Sequence, residues 1–424
     1  MADEFCGLDF GTSNSTLAFY IKGQARLCPL EGEALTLPSA VFFDFEEHKV
    51  RYGREGIRSY AEGYEGRLLR SLKSVLGTSL IDEATLVQRK RVEMRNIIGM
   101  FLRHLRATAL GWLEKQGRTS KLENVVLGRP VRFVDDDDAA DRQAESDLVA
   151  IARAQGFRHV ETQLEPIAAA LTYERSLNHE ELSLVVDLGG GTSDFVIARL
   201  SPDRARKIDR SEDILGRSGV HVGGTDFDRR LSIDRVMPQL GYDVRLGPKR
   251  LRVPAHLFHD LATWHKIPFL YTSDNVAYLR EAINTANHPE ILQRLLQVLT
   301  RRKGHQIAAE VEAAKIALSD DETVRFLLPL QPPIEIEARR SDLARAVESD
   351  TGRIIQAIDR CCKAAAVAPA RIQSIFLTGG STGIPAVRRR ILEHLPAARP
   401  IDGDRFGSVG MGLAIDAARR FGRA

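Results

Sequence analysis

The chain has 424 residues, of which 43% are hydrophobic and 28% charged, and its formal net charge is +3. This length exceeds what one compact core usually organises, so the sequence predicts two or more lobes. The small net charge argues against nucleic-acid binding, which uses a clustered basic surface. No uncharged apolar run reaches the length of about 20 residues that a membrane-spanning helix needs, and the four cysteines form no C-x-x-C motif. We therefore expect a reduced cytoplasmic protein that binds neither nucleic acid nor membranes.

The N-terminal region predicts strands separated by turns, followed by a long helix. The apolar segments that predict strands are "FCGLDF" (5–10), "STLAFYI" (15–21), "ARLCPL" (25–30) and "AVFFDF" (40–45). From about residue 82 to residue 116 the pattern becomes helical, because apolar residues recur at every fourth position. The residues of this apolar stripe are Ile97, Phe101, Leu105, Ala109 and Leu113.

The middle of the chain predicts alternating strands and helices. The segment "NVVLGRPV" (124–131) predicts a buried strand, Ala144–Gln155 a helix, "HVETQL" (159–164) another strand, and "EPIAAALTYE" a helix that begins near Pro166. The polar connection at Asn178–Glu181 is the best candidate for a boundary between two halves.

The second half repeats this organisation. It predicts a strand, a glycine turn and a strand over 184–200, helix over about 276–318, strands within 323–338 and a helix over 341–366. The segment "SIFLTGGSTGIPAV" predicts a strand, a turn and a helix, and a last helix follows Gly407. Strand hairpins followed by β-α-β units thus occur twice, which predicts a duplicated α/β architecture with a cleft between its lobes.

The repeat also suggests where the lobes begin and end. We assign residues 1–178 to a first lobe, with the C-terminal helix at 405–424 packing back on it. Residues 179–404 form the second lobe, which includes an enlarged insertion at about 229–311.

Two glycine turns carry the main chemical signal. "DLGGGTSD" begins with Asp187, and "LDFGTSNS" contains Asp9, 178 residues earlier. Successive glycines let backbone N–H groups approach a ligand, and several such groups form an anion-binding nest. Hydroxyls at Thr12, Ser13 and Thr192 add donors for phosphate oxygens. For the first turn taken alone, a plain hairpin is the alternative interpretation.

The two aspartates suggest a metal. Magnesium prefers octahedral oxygen coordination and keeps several waters, which suits two carboxylates, Asp9 and Asp187, facing one another across a cleft. Two further glycine turns, "HVGGTDFD" (221–228) and "FLTGGSTGIP" (376–385), lie in the second half. Four such turns on an alternating α/β pattern predict a nucleotide-binding protein.

These segments together resemble the actin-like ATPase domain of the DnaK-type heat-shock chaperones, with the closest likeness to their short YegD-type members. "GLDFGTSNS" and "VVDLGGGTSDF" resemble the two phosphate motifs, "HVGGTDFD" the loop beneath the nucleotide, and "FLTGGSTGIP" the adenosine motif. "LPSAVFF" and "LEPIAAALTY" are similar to two further segments. The likeness covers the chain except roughly residues 235–305, and it implies a duplicated actin-like, ribonuclease H-like fold with two lobes around a nucleotide cleft.

The resemblance implies a site for ATP or ADP with Mg²⁺. Asp9 and Asp187 match the aspartates that hold the magnesium through water, and Glu165 matches the glutamate that orients the attacking water. A helix-start glutamate beside Pro166 is the alternative interpretation of Glu165. The residues implied to cradle phosphates are Gly11, Thr12, Ser13, Asn14, Gly189, Gly190, Gly191 and Thr192. Those implied to contact ribose and base are Gly223, Gly224, Thr225, Glu312, Lys315, Ser319, Gly379, Gly380 and Ser381.

Three departures from the family pattern modify this expectation. The family has a phosphate-contacting lysine shortly after the "PS" strand, where this chain has Ile57 and Arg58. Lys73 is a candidate for the same catalytic task, although a solvated helical lysine is the alternative. The family sandwiches adenine between two arginines, and this chain has Ile316 and Gly383 there, which predicts weaker or less adenine-specific binding.

The third departure concerns the C-terminal end of the sequence. Since the sequence stops at Ala424, after the last helix, we expect no peptide-binding domain.

The insertion at about 229–311 carries five aromatic residues, which form either its own core or a surface for a protein partner. They are Phe258, Trp264, Phe269, Tyr271 and Tyr278.

Three functions are compatible with these residues. The first is a magnesium-dependent ATP-binding protein with slow hydrolysis, acting as a chaperone-like nucleotide switch on a protein partner. The second is a nucleotide sensor or scaffold that does not hydrolyse ATP. The third is an actin-fold small-molecule kinase, against which "LEPIAAA" and "GGSTGIP" argue.

Overall fold

The computed structural model describes residues 4–88, 90–134 and 137–422. The chain divides into two compact units: the first comprises Met1–Gly223, Arg353–Thr382 and Arg389–Ala424, and the second comprises Gly224–Gly352 and Gly383–Arg388. The predicted lobe boundary near residue 178 lies inside the first unit, so the division into lobes stays a prediction. The outermost residues of the predicted first lobe, 1–3 and 423–424, lie outside the described residues.

Strands and helices alternate along most of the chain. The strands are β1 Phe5–Phe10, β2 Asn14–Ile21, β3 Gln24–Leu27, β4 Leu37–Pro38, β5 Ala40–Asp44, β6 Lys49–Tyr52, β7 Gly66–Arg70, β8 Ala84–Val87, β9 Lys90–Glu93, β10 Asn124–Arg129, β11 His159–Leu164, β12 Glu181–Leu188, β13 Ser193–Leu200, β14 Ile214–Val220, β15 Arg245–Leu246, β16 Leu251–Arg252, β17 Thr323–Leu328, β18 Ile334–Arg339, β19 Ser374–Thr378 and β20 Arg399–Asp402. The helices are α1 Gly53–Glu62, α2 Met94–Lys115, α3 Asp138–Ala154, α4 Glu165–Glu174, α5 Gly224–Leu231, α6 Met237–Leu240, α7 Ala255–Leu261, α8 Ser273–Ile283, α9 Pro289–Thr300, α10 Gly304–Ala317, α11 Arg340–Ala346, α12 Glu348–Ala364, α13 Pro385–His394 and α14 Ser408–Phe421.

Two sheets of the first unit repeat one pattern. In one sheet the strand order is β11–β10–β1–β2–β3, with β4 paired to β2; in the other it is β14–β13–β12–β19–β20. In the first sheet β1 runs antiparallel to β2 and parallel to β10. In the second sheet β12 runs antiparallel to β13 and parallel to β19. Each sheet thus joins a hairpin to a parallel strand, which is the repeat that the sequence predicts.

Close packing at glycines fixes the C-terminal helix on the first sheet. Helix α14 contacts β1, β2 and α4. A Cβ atom added at Gly412 would lie 1.7 Å from the carbonyl oxygen of Ala168, and one added at Gly7 would lie 2.2 Å from the backbone nitrogen of Ala414. Because such distances leave no room for a side chain, the two glycines let backbone pack against backbone.

Most predicted elements are present, but the helix predicted over Ala144–Gln155 begins earlier, at Asp138, another begins late, and two are interrupted. The helix predicted over 82–116 begins only at Met94, after the β8–β9 hairpin, although its predicted apolar stripe is fully buried. The region 276–318 forms three helices, the second of which starts with Pro289. The helix predicted over 341–366 is two helices separated at Val347. The spacing of apolar residues therefore predicted which helix faces are buried, but it did not predict where one helix ends and the next begins.

The aromatic residues of the insertion lie in the second unit. Phe258 and Trp264 are buried, and the hydroxyl of Tyr271 accepts a hydrogen bond of 3.0 Å from the backbone N–H of Gly304. This confirms the interpretation of Phe258 and Trp264 as core residues. Phe269 differs from them, because 68% of its surface is exposed.

Across the described residues, no helix combines the length and the apolar character that crossing a bilayer requires.

Candidate functional site

A pair of aspartates is held together by strand register in the first unit. Asp187 of β12 lies directly opposite Asp194 of β13 in an antiparallel pair, and both side chains are buried. Directly opposite residues of antiparallel strands have Cα atoms about 4.5–5.5 Å apart. Asp9 stands at the corresponding place in the other sheet, one residue before the end of β1 and opposite Thr16.

Glu165 lies where β11 passes into helix α4, of which it is the first residue. The neighbouring strand β10 has Gly128 beside it, and a Cβ atom added there would lie 3.1 Å from the Cγ of Glu165. The glycine therefore leaves the space that the glutamate occupies. Glu165 is 7% exposed and lies close enough to Asp9 and Asp187 to raise the pKa of each.

Lys73 completes this group. It lies in a 3₁₀ turn, Leu72–Val75, that follows Ser71, whose φ of 57° is left-handed. The Nζ of Lys73 donates to Oε1 of Glu165 and forms an ion pair with it, and the lysine side chain is only 6% exposed. The interpretation of Lys73 as a solvated helical lysine is therefore wrong.

The same observation supports Lys73 as the candidate lysine from elsewhere in the chain. Ile57 and Arg58, which occupy the expected sequence position, lie on α1, and Arg58 is exposed. Lys73 supplies the positive charge from a later segment. We define the carboxylate cluster as Asp9, Glu165, Asp187 and Asp194, with Lys73 facing it.

Burial and mutual repulsion dominate the electrostatics of the carboxylate cluster. Burial, together with the charge of Glu165, raises the pKa of Asp9 to about 7, against the attraction of Lys73. The pKa of Asp194 rises to about 7 by burial and by Glu165, although hydrogen bonds from the backbone N–H of Val131 and the hydroxyl of Thr192 oppose the rise. Burial and three neighbouring carboxylates raise the pKa of Asp187 well above its usual range.

Lys73 experiences the opposite field. Burial acts to lower its pKa, but the charges of Glu165 and Asp9 outweigh burial, so the pKa of Lys73 is raised. One ammonium thus faces four carboxyl groups. The net negative charge that remains when all are ionised favours a cation at this place.

The first two glycine turns contact one another. A Cβ atom added at Gly190 would lie 2.1 Å from the Oγ of Ser13, and one added at Gly191 would lie 3.1 Å from the Oγ1 of Thr12. Behind the first turn, the hydroxyl of Ser39 donates to the carbonyl of Gly11 at 2.6 Å. The structure therefore brings the backbones of the two predicted phosphate turns and two of their hydroxyls together.

The third and fourth turns adjoin the second one. A Cβ atom added at Gly223 would lie 2.5 Å from the carbonyl carbon of Gly190. Gly379 has a φ of 84°, and a Cβ atom added there would lie 2.7 Å from an oxygen of Asp187. The hydroxyl of Ser381 donates to the carbonyl of Gly189 at 3.0 Å. Only glycine fits at positions 223 and 379, because backbone or carboxylate atoms occupy the space that a side chain would need.

Five of the remaining predicted residues lie in the second unit, whereas Asn14 and Gly380 belong to the first. Glu312 and Lys315 lie on α10, Ser319 lies just after it, and Gly224 and Thr225 begin α5. Lys315 donates to the carbonyl of Gly224 at 3.1 Å and pairs with Asp228 at 2.7 Å. Lys315 thus ties α10 to α5 inside this unit, and the role of all five residues toward a ribose or base stays a prediction.

Asp194 is a site residue that the sequence-based list omits. It stands two residues after Thr192 in "DLGGGTSD". The sequence could have predicted this position, because a hairpin that closes around "GGGT" places Asp194 opposite Asp187. Its Oδ1 also accepts a hydrogen bond of 2.7 Å from the backbone N–H of Val131.

The donor set fits magnesium held through water. Among the described residues no three His, Cys, Asp or Glu side chains are grouped to ligate a metal ion directly. Magnesium usually keeps several waters and takes one or two protein carboxylates. Asp9 and Asp187 would hold such an ion, and the excess negative charge of the carboxylate cluster would favour it.

Comparisons with known proteins give a consistent result. A family model described as Hsp70 protein matches residues 5–241 and 287–422. The chain is 27% identical, over 97% of its length, to proteins named "Chaperone protein HscA" from Salmonella typhimurium, Salmonella heidelberg and Salmonella arizonae. It spans 57% of the length of each of these relatives. The predicted α/β, actin-like ATPase fold and the resemblance to heat-shock chaperones are confirmed.

Proposed function

The chain belongs to the Hsp70 family, and from this premise we propose that it is a magnesium-dependent ATP-binding protein with slow ATP hydrolysis, acting as a chaperone-like nucleotide switch. The family implies the coarser function, ATP binding of chaperone type. The finer steps proposed below rest on the residues of the first unit.

One observation carries the proposal: four glycine turns adjoin one another beside the carboxylate cluster. The contacts run from Ser13 to Gly190, from Gly190 to Gly223, and from Gly379 to Asp187. Inward-turned backbone N–H groups bind phosphate oxygens well, since no side chain stands between them and the ligand. This arrangement supports the binding of a polyphosphate rather than of a single small anion.

The donor groups of the site would bind phosphate, and its carboxylates would bind the metal ion. Lys73 and the hydroxyls of Thr12, Ser13 and Thr192 would donate to phosphate oxygens. Asp9 and Asp187 repel phosphate unless a cation lies between them. Magnesium, when bound, would neutralise phosphate charge as it develops during phosphoryl transfer. We therefore expect ATP binding to depend strongly on the metal.

Hydrolysis would depend on the pair formed by Lys73 and Glu165. An ammonium group has three donors, so Lys73 can keep its hydrogen bond to Glu165 while it donates to a phosphate oxygen. Glu165 would accept a hydrogen bond from a water molecule and orient it toward the terminal phosphate. The hydrogen bond from Lys73 already occupies one oxygen of Glu165, so fewer acceptor positions remain for the attacking water, which favours slow turnover.

Calorimetric titration with ATP and ADP, with and without magnesium, tests binding. We expect metal-dependent ATP binding in the wild type and its loss in the double variant Asp187→Ala/Thr192→Ala. A matched control is Asp44→Asn, which removes a buried carboxylate of β5 outside the cluster. Absence of binding at millimolar nucleotide, or equal binding in the double variant, would contradict the proposal.

Single-turnover hydrolysis tests the catalytic part. Removing one preorganised group of this kind typically lowers the rate about 10²–10³-fold. We expect that loss in Glu165→Gln and in Lys73→Ala, with ATP affinity changed much less in Glu165→Gln. Each rate is compared with that of Arg58→Ala, whose exposed side chain lies on α1.

A nucleotide sensor without turnover is the second candidate function. One observation favours it: Ile316, where the family has an arginine, is 59% exposed on α10. An exposed isoleucine gives adenine less attraction than a guanidinium does. Binding without any turnover above that of Glu165→Gln would select this function.

A further inference from the structure

Phe406 is an exposed aromatic residue beside the fourth glycine turn. It lies between β20 and α14 in the first unit, and 54% of its surface is exposed. A Cβ atom added at Gly380 would lie 3.0 Å from the Cε1 and 3.4 Å from the Cζ of the Phe406 ring. A single exposed apolar side chain is ordinary in itself. This ring, however, lies against a turn that the sequence predicts to contact ribose and base.

The backbone that carries Phe406 is held by several hydrogen bonds to Asp404. Oδ1 of Asp404 accepts bonds of 3.0 Å from the backbone N–H groups of Phe406 and Gly407. The carbonyl of Asp404 accepts bonds from the hydroxyls of Thr378 at 3.2 Å and Ser408 at 2.7 Å. Because these residues end β19 and begin α14, the turn is tied to both elements, and the ring extends from a fixed backbone.

Gly380 connects the Phe406 ring with the phosphate turns. Its neighbours are both in contact with the second turn: a Cβ atom added at Gly379 would lie 2.7 Å from an oxygen of Asp187, and Ser381 donates to the carbonyl of Gly189. Gly380 itself is exposed, whereas Ser381 is buried. A nucleotide whose phosphates occupy the glycine turns therefore has an exposed glycine and an aromatic ring directly beside them.

The base of such a nucleotide lacks the family's two arginines in this chain. Their positions are occupied by Ile316 and Gly383. Neither an isoleucine nor a glycine offers a charge or a ring to the π system of a base. An aromatic side chain does so, because every base has a π face on which such a ring can stack.

We propose, building on the proposed function, that Phe406 binds the base of the nucleotide by stacking on it. The missing side chain at Gly380 leaves room for the base against the ring. A phenyl ring has no polar group with which to distinguish the edges of two bases. Phe406 therefore contributes equally to the binding of adenine and guanine nucleotides, and it replaces attraction that the absent arginines would supply.

Calorimetric titration of the full chain with magnesium present tests this role with three probes. The probes are ATP, GTP and inorganic tripolyphosphate, which has no base. The test variant is Phe406→Ala, and the matched control is Phe269→Ala, which removes an exposed ring from the second unit. We expect Phe406→Ala to bind ATP and GTP about fivefold to a hundredfold more weakly than the wild type, as loss of a base-stacking ring does. Its affinity for tripolyphosphate should be unchanged, and the control should bind all three probes as the wild type does.

Phe406→Trp gives a second readout, because it keeps an aromatic ring and adds a fluorophore. We expect this variant to bind ATP at least as tightly as the wild type. ATP should quench its added fluorescence, whereas tripolyphosphate should not, since only ATP brings a base to the ring. The wild type, with Trp112 and Trp264 alone, provides the background signal.

The outcomes separate this inference from the proposed function. Equal ATP affinity in Phe406→Ala and the wild type, with tripolyphosphate bound by both, would overturn the role of Phe406 and leave the proposed function intact. An equal loss of ATP and tripolyphosphate affinity would also overturn it, because the ring would then act on the phosphate turns. Failure of the wild type to bind any of the probes would refute the proposed function and the role of Phe406 with it.

Discussion

Asp194→Asn tests the electrostatic account of the carboxylate cluster. The substitution keeps the shape of the side chain and an oxygen that accepts the hydrogen bond from Val131, but removes the charge. In the folded protein the pKa of Asp194 is raised to about 7 from its ordinary value of 3.8, chiefly by burial and then by Glu165. The folded state therefore binds more protons than the unfolded state between about pH 4 and pH 7.

The sign and size of the effect follow from that difference. Stability falls as the pH rises through this window, because the folded protein must lose a proton that the unfolded chain has already lost. At about 1.36 kcal/mol for each tenfold change in proton affinity, the full penalty is about 4 kcal/mol. The pKa of about 7 already includes the opposing hydrogen bonds from Val131 and the Thr192 side chain, so this penalty is the net effect of ionisation. We expect Asp194→Asn to be about 4 kcal/mol more stable than the wild type above pH 7, with the advantage lost near pH 4.

The assay is urea unfolding at a series of pH values in metal-free buffer. Asp44→Asn is the control with the opposite sign, since backbone N–H groups of Glu46 and Glu47 and the guanidinium of Arg51 bind Asp44. These contacts lower the pKa of Asp44, the hydrogen bond from Glu47 most of all. Asp44→Asn should therefore be less stable than the wild type at neutral pH, with a difference that shrinks as the pH falls. An Asp194→Asn difference that does not change with pH would refute the reasoning.

Three other substitutions test the packing around the site and in the second unit. Gly128→Val should displace Glu165, whose Cγ lies 3.1 Å from an added Cβ atom; a displacement of about 1 Å is expected to reduce single-turnover hydrolysis about a hundredfold while leaving ATP affinity nearly unchanged. Gly412→Ala should lower the unfolding temperature, since overpacking against the carbonyl of Ala168 costs about 1–3 kcal/mol. Trp264→Ala should destabilise the second unit by about 3–5 kcal/mol, as loss of a buried aromatic side chain does; a change in partner binding with unchanged thermal unfolding would contradict its assignment to the core.

Local patterns were sufficient for much of the fold. The apolar stripe of helix α2 and the apolar segments of β1 and β11 need only neighbours along the chain; the stripe is buried as predicted and the two strands lie where they were expected. The period failed where one helix follows another directly, as at Val347, because a break of a single residue leaves no polar segment in the sequence. The apolar period also failed at the β8–β9 hairpin. Gln88 takes a positive φ of 54° there, and no glycine in the sequence indicates a turn at this place.

The candidate site, like the fold, has features that the sequence predicts and others that depend on tertiary contacts. By itself the sequence determined that four glycine turns exist and that aspartates stand at the strand ends beside two of them, since both are local features of composition and spacing. Only the tertiary structure decided which charges meet. Lys73 and Glu165 are 92 residues apart in the chain, and no periodicity relates them. Asp194 joins Asp187 through strand register, which depends on how the hairpin closes. The field at each carboxyl group is a sum over neighbours in space, so it could be known only after the chain had folded.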